Sequence, residues 1–191
     1  ALGALERTYK NHVGLSNQKC ALVSFVKKYP LNLIKVCSRE ILNKQEVFAL
    51  IMNDEYFMKV VIENTKLNGH HFGAIIVKNN EIIAKAGKMP KGDPRFHAET
   101  YVILEACERL KTRNLKNCTL YSICEPCPMC FYMAWITSIS KIVYGATIRD
   151  AIKRGFPEIR VTAEFLNRRS DNKIELKGKF LRDECLNLLK R

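Results

Sequence analysis

The sequence predicts an α/β fold, a three-layer α/β/α sandwich in which helices cover both faces of a mixed central sheet. Short apolar and β-branched runs, typical of buried strands, alternate along the chain with longer stretches of helical spacing. The predicted strands are 72–77, 81–86, 118–123 and 141–145, with an edge strand at 173–177. The turn residues Asn79 and Asn80 join the first two strands as a hairpin, whereas intervening helices make the later strands parallel.

The chain divides into a basic N-terminal helical extension, residues 1–52, and a domain formed by residues 53–191. Helical apolar spacing occurs within the extension at 21–29 and 41–52, and Pro30 interrupts it. The extension therefore adds to the α/β fold and is not part of it.

Helix start and stop signals place the helices of the domain. Asn53 or Asp54 can cap a first helix that Gly69 closes. A second helix opens at His97, and Pro128 marks the first turn of a third, since proline favours that position. Shorter helices are predicted at 150–154 and 179–190.

Two motifs carry the chemistry. His97 and Glu99 form a His-x-Glu motif, and a later Pro-Cys-x-x-Cys motif contains Cys127 and Cys130, a pairing typical of zinc-dependent nucleobase deaminases. A catalytic zinc keeps three protein ligands and leaves a position for water, and we predict that His97, Cys127 and Cys130 are those ligands. Zinc lowers the pKa of its bound water, and the resulting hydroxide can attack a carbon that bears an amino group. Glu99 is not expected to bind the metal and is the candidate general acid and base.

Three other interpretations of these residues stay open. The run Cys124-x-x-Cys127-x-x-Cys130 resembles an iron–sulfur pattern, although no fourth cysteine follows at the required spacing. Cys124 could instead complete a closed structural zinc site, which would leave Glu99 without a role. His97 could also be an ordinary helix cap or core histidine.

The composition favours a protein with a hydrophobic core and a basic surface. Of 191 residues, 47% are hydrophobic, and Lys and Arg outnumber Asp and Glu by 32 to 19, for a net charge of +13. The excess lies in the two flanks and permits a polyanionic partner such as tRNA. We expect no membrane span and no signal peptide. The eight cysteines lack the spacing of a disulfide framework, so we expect free thiols in a reducing compartment and a cytoplasmic protein.

The two motifs, together with residues 72–77 and 93–94, resemble the cytidine and deoxycytidylate deaminase superfamily over roughly residues 54–156. Within it, the chain is most similar to bacterial guanine deaminases and tRNA adenosine deaminases. The resemblance implies a cytidine-deaminase-like sandwich, a zinc cofactor and a homodimer. In guanine deaminases a similar Asp-Ala…Gly-Phe run follows the fourth strand, which makes Asp150 a second candidate catalytic residue. Asp150 is equally a candidate helix cap.

The chain departs from the family pattern on the substrate side. The family carries an asparagine in the loop after the second strand, whereas residues 87–92 contain none, and Phe96 replaces a small residue before the histidine. The sequence predicts a zinc-dependent hydrolytic deaminase of a nucleobase or nucleoside, with guanine as the first candidate substrate. The alternatives are a tRNA-specific adenosine deaminase, suggested by the basic flanks and the tail 174–185, and a non-catalytic structural zinc domain.

Overall fold

The computed structural model describes residues 52–87, 93–171 and 173–190, all of which lie in one compact unit. Within them, five strands form a sheet in the order β2-β1-β3-β4-β5. The strands are Ala74–Lys78 (β1), Glu81–Lys85 (β2), Cys118–Cys124 (β3), Lys141–Ala146 (β4) and Glu175–Lys177 (β5). The helices are Asp54–Leu67 (α1), Ala98–Leu110 (α2), Pro128–Ile136 (α3), Ile148–Lys153 (α4), Ala163–Arg168 (α5) and Arg182–Leu186 (α6).

The sheet is mixed, as the sequence predicts. β1 is antiparallel to both β2 and β3, whereas β3, β4 and β5 run parallel. The hairpin turns at Asn79 and Asn80, whose φ angles of 51° and 63° lie in the left-handed region. Asparagine tolerates that region, and tight two-residue hairpin turns need it at both central positions.

Helices pack on the sheet from both sides. Since successive strand residues point to opposite faces, Leu120 and Ile142 join the core beneath α2 and α3. Tyr121, next along β3, points to the other face, where its ring lies 5.3 Å from that of Phe57 on α1. The predicted α/β sandwich is therefore confirmed.

Most predicted elements are present, with three differences. The helix after β4 begins at Ile148 and not at Asp150, because Thr147 caps it. The terminal helix is only Arg182–Leu186, since Leu181 before it has a left-handed φ of 47°. The sequence analysis missed α5, because a helix of six residues is too short to show a helical period.

A glycine lets α6 approach the sheet closely. A Cβ atom placed on Gly145 of β4 would lie 2.2 Å from Sγ of Cys185 on α6. Interior atoms are close-packed and cannot overlap in this way, so the position requires a residue without a side chain. Cys185 is fully buried as a result.

The predicted extension, residues 1–52, lies outside the described residues apart from its last one, so its helices and the domain boundary stay predictions. Within the described part of the chain, no helix has both the length and the apolar character needed to cross a lipid bilayer. The six cysteines that the structure describes form no disulfide with one another, and the reducing compartment stays a prediction. The cytoplasmic location stays a prediction.

Asp54 connects α1 to three strands. Its carboxylate accepts hydrogen bonds from the hydroxyl of Tyr121 at 2.8 Å, from Nζ of Lys141 at 3.0 Å and from Nζ of Lys177 at 2.8 Å. Burial by itself would raise the pKa of Asp54, but these three donors outweigh burial and lower the pKa below its ordinary value.

Replacing Asp54 by Asn should lower the free energy of unfolding by about 1–3 kcal/mol at neutral pH, because Lys177 and Lys141 lose the charge of Asp54 and Lys141 keeps only its pair with Glu175 at 3.4 Å. The folded pKa of Asp54 is depressed, so this stability is present above the unfolded pKa of about 3.9 and is lost as the pH falls through the folded pKa. Urea unfolding should therefore show a difference that shrinks in acid. Asp171→Asn, at an exposed position, is the control. An equal loss in both variants would contradict the assignment.

Candidate metal centre

Three side chains come together where α2 and α3 begin. His97 is the N-cap of α2, Cys127 is the N-cap of α3, and Cys130 lies in the first turn of α3. Nδ1 of His97 is 3.5 Å from each sulfur, and the two sulfurs are 3.5 Å apart. The three atoms could therefore hold one metal ion.

The spacing of these atoms fits tetrahedral zinc. With Zn–S bonds of about 2.3 Å and Zn–N bonds of about 2.0–2.1 Å, the ligand atoms of a tetrahedral site lie about 3.5–3.8 Å apart. Two sulfurs and one imidazole nitrogen are ligands that zinc prefers. Three protein ligands leave the fourth tetrahedral position for water, as a catalytic site requires.

The local sequence explains this arrangement. Pro128 occupies the first position of α3, where its missing N–H breaks no helical hydrogen bond. The carbonyl of Cys127 accepts a hydrogen bond from N of Phe131 at 2.8 Å, which closes the first turn and brings Cys130 beside Cys127. His97 makes no side-chain capping bond, so its ring is available to a metal. The alternative of an ordinary capping histidine does not fit this geometry.

Cys124 ends β3 and does not join the group. Its buried sulfur is 3.7 Å from the carbonyl oxygen of Thr147. Among the residues that the structure describes, the metal-binding geometry is met by His97, Cys127 and Cys130 alone. This disfavours Cys124 as a fourth zinc ligand and disfavours an iron–sulfur cluster.

Cys127 and His97 form a charge-separated pair, whereas the contact with Cys127 and burial raise the pKa of Cys130 well above its ordinary value. The contacts of Cys127 with Cys130 and His97 lower the pKa of Cys127 to about 4. The contact with Cys127 in turn raises the pKa of His97 to about 8. Cys127 is therefore a thiolate at neutral pH, and the thiolate is the form that binds metals.

Glu99 lies buried beside these ligands in the first turn of α2, where it is 5% exposed. Its Oε2 atom is 3.5 Å from Sγ of Cys130, and its Oε1 atom accepts a hydrogen bond from the hydroxyl of Ser122. Burial raises the pKa of Glu99 above its ordinary value, and the bond from Ser122 opposes this rise. The sequence analysis assigned no role to Ser122, because only the packing of α2 on β3 brings it to Glu99.

Comparison with known proteins agrees with this geometry. Residues 51–146 match the family described as "Cytidine and deoxycytidylate deaminase zinc-binding region". The chain belongs to this deaminase family. It is 43% identical over 101 residues to the tRNA-specific adenosine deaminase of Aquifex aeolicus, which covers 50% of this chain and 67% of that protein. It is 38% identical over 114 residues to the guanine deaminase of Bacillus subtilis, which covers 56% of this chain and 73% of that protein.

The fold of the deaminase is also similar to a solved structure of guanine deaminase from Nitrosomonas europaea. The TM-score is 0.63 at 23% identity, over 78% of this chain and 91% of that chain. The predicted superfamily, fold class and zinc cofactor are confirmed by these findings. The names of the relatives point to different substrates, so the comparisons leave the substrate of this deaminase open.

Asp150, the second predicted catalytic residue, has structural partners. Its carboxylate accepts hydrogen bonds from N and Oγ1 of Thr147 at 3.0 and 2.8 Å, and it pairs with the guanidinium of Arg182 at 2.6 and 3.0 Å. Arg182 holds the pKa of Asp150 well below its usual range. Within the described residues, Asp150 makes no hydrogen bond to Glu99 or to the candidate ligands. Thr147, and not Asp150, is the N-cap of α4, and Asp150 completes the capping box from the third helical position. Its catalytic role stays an untested prediction.

Glu158 is the acidic residue that the sequence analysis missed. It is half-buried, and burial, followed by the charges of Cys127 and Glu99, raises its pKa, while His97 lowers it. These charges make Glu158 a further candidate site residue. The sequence feature that could have indicated Glu158 is its position directly after the Gly155-Phe156-Pro157 break.

The residues before His97 form a small surface cluster. Phe96 is half-buried, with its ring 6.5 Å from that of Tyr101, and the guanidinium of Arg95 lies 5.9 Å from the ring of Phe96. Arg95 also pairs with Asp93. The altered loop, residues 88–92, lies outside the described residues, so its effect on substrate choice stays a prediction.

Replacing any one of His97, Cys127 or Cys130 by Ala should abolish stoichiometric zinc binding, because two ligands remain of three. Cys124→Ser should keep one zinc per chain, since Cys124 lies outside the ligand group. Metal analysis of the purified full chain measures this directly. Loss of zinc in Cys124→Ser would instead indicate a closed four-ligand site.

Proposed function

We propose that the deaminase releases ammonia from a purine base that carries an amino group, with guanine as the first candidate. In this proposal His97, Cys127 and Cys130 hold zinc, and Glu99 transfers the protons. The observation that supports it most directly is the burial of Glu99 beside an open set of three ligands. A structural zinc site has four protein ligands and needs no such carboxylate.

Zinc, when bound, supplies Lewis-acid activation of the attacking water. The reaction adds water at the carbon that bears the amino group and releases ammonia, so two protons must move. Glu99 accepts one proton from the attacking water and delivers it to the ring nitrogen. It then moves the second proton from the new hydroxyl group to the departing amine. Ser122 holds Oε1 of Glu99, which keeps the carboxylate in position while Oε2 exchanges protons.

Glu158 supports guanine over adenosine as the substrate. Glu158 is half-buried, and besides burial the charges of Cys127, His97 and Glu99 act on its pKa, which supports Glu158 as a candidate acceptor for the base. Guanine presents an N–H donor on its ring as well as on its amino group, and a carboxylate can accept hydrogen bonds from both, whereas the ring nitrogens of adenosine are acceptors and only its amino group donates. We therefore assign Glu158 the role of binding the N–H edge of the base.

Glu99→Gln should lower ammonia release from guanine by about 10²–10⁴-fold, because an amide cannot accept and return a proton. Zinc content should not change, since Gln keeps the size of the side chain and an acceptor for Ser122. Glu63→Gln, at an exposed position of α1, is the matched control and should keep full activity. Unchanged activity in Glu99→Gln would refute the assignment. Wild-type protein that binds zinc but releases no ammonia from any base, nucleoside or tRNA would point to a structural zinc domain.

A tRNA-specific adenosine deaminase is the second candidate. Two observations favour it, namely the 43% identity to the Aquifex aeolicus enzyme and the net charge of +13. If it is correct, the protein should convert adenosine to inosine in a tRNA anticodon stem-loop. Binding should weaken as salt rises, with a log–log slope of about −0.7 per phosphate contact for a single strand. Activity on guanine together with salt-insensitive or absent tRNA binding would exclude this candidate.

We also propose a homodimer, which the exposed apolar side chains of α3 support. Tyr132 and Ile136 are 56% and 55% exposed, whereas Phe131 on the same helix is buried. The apolar residues of α3 are thus divided between the core and a surface that a second copy could cover. Light scattering distinguishes the two states, and a monomer would contradict the dimer.

A further inference from the structure

Glu125 is a buried carboxylate for which the proposed chemistry has no use. It follows β3 directly and precedes the ligand Cys127 by two positions. Glu125 is only 5% exposed. A carboxylate removed from water is costly unless donors satisfy it, so its partners indicate what it does.

The two oxygens of Glu125 bind two different helices. Oε2 accepts a hydrogen bond from N of Ile148 at 3.0 Å, and Oε1 accepts one from N of Ala163 at 2.8 Å. These are the first residues of α4 and α5, whose N–H groups have no acceptor within their own helices. The backbone N of Glu125 also donates to the carbonyl of Ala146 at 2.8 Å. One side chain therefore joins the turn that carries Cys127 to two separate helix starts.

Ile148 and Ala163, the two residues that donate to Glu125, are the two ends of one chain segment, residues 148–163. The segment contains Glu158, which is half-buried. It also contains exposed residues such as Ile159 and Arg160, so much of it lies on the surface. The bonds to Glu125 fix both ends of this segment relative to the candidate metal centre.

We propose that Glu125 is a positioning residue that clamps both ends of residues 148–163, the segment that contains Glu158. Its kinetic consequence rests on the proposed function, in which Glu158 binds the base. Its structural consequence does not, because the clamp exists whether or not the protein acts on a purine.

Glu125→Gln is the first test. Its amide has one acceptor oxygen, so it can serve only one of the two N–H groups and turns its own N–H₂ toward the other. Hydrogen exchange of the zinc-loaded full chain should then become faster in peptides covering 148–163, and exchange in α1 should not change. Unchanged exchange across 148–163 would overturn the clamp. If the Gln variant does not fold, Glu125→Asp replaces it in the same experiment. Asp keeps the charge but is one methylene too short to reach both helices, so exchange across 148–163 should again become faster.

A double-mutant cycle tests the link to Glu158. Glu125→Gln should lower kcat/KM for guanine by about 10–100-fold, the usual effect of removing a residue that orients a site. The effect should be mostly in KM, and it should nearly vanish when Glu158 is already Gln, because a residue that acts through another is non-additive with it. Asp54→Asn, which disturbs a different part of the fold, should be additive with Glu158→Gln. Additive effects of Glu125 and Glu158 would overturn the link.

The two sets of results separate the failure of this inference from that of the proposed function. Faster exchange in 148–163 with no wild-type activity on any purine supports the clamp and removes the proposed function. Wild-type activity on guanine, together with unchanged hydrogen exchange in Glu125→Gln, supports the proposed function and removes the clamp.

Discussion

The convergence of one imidazole and two thiols on a single point is the constraint on which the rest of the domain depends. The three atoms lie 3.5 Å from one another, although they come from two helices that β3 separates in sequence. Val102 of α2 and Phe131 and Ala134 of α3 share one buried cluster, so the packing of the two helices sets the distance between the ligands. Since a metal binds the assembled site better than the unfolded chain, zinc stabilises the same packing that creates its site.

Three buried carboxylates of the domain have different partners, and the partners decide what each can do. Glu125 accepts two backbone N–H groups, and Asp150 is held by Arg182 and Thr147. Both are fixed in place as connectors. Glu99 has one hydroxyl donor and a thiol contact, so it keeps the freedom to exchange protons. Burial alone would not have distinguished these three side chains.

The sequence predicted those parts of the fold and site that local chemistry determines. Asn53 caps α1, Asn79 and Asn80 form the hairpin turn, and the two motifs predicted three residues that the structure brings together. The sequence analysis failed where the role of a residue depends on partners that are distant in the chain. Ser122 matters because β3 packs beneath α2, and the pairing of Asp150 with Arg182 depends on the same kind of distant contact. Such pairings follow from tertiary packing, which neither period nor spacing in a sequence specifies.

The close approach of Cys185 to Gly145 has a consequence for chemical labelling. Burial raises the pKa of Cys185 to about 12 and removes its thiol from solvent, whereas Cys107 is partly exposed. Alkylating reagents attack the thiolate, so Cys185 reacts only in molecules whose α6 has left the sheet. The rate at which Cys185 is alkylated, set against that of Cys107, therefore reports how often the C-terminal helix detaches from β4.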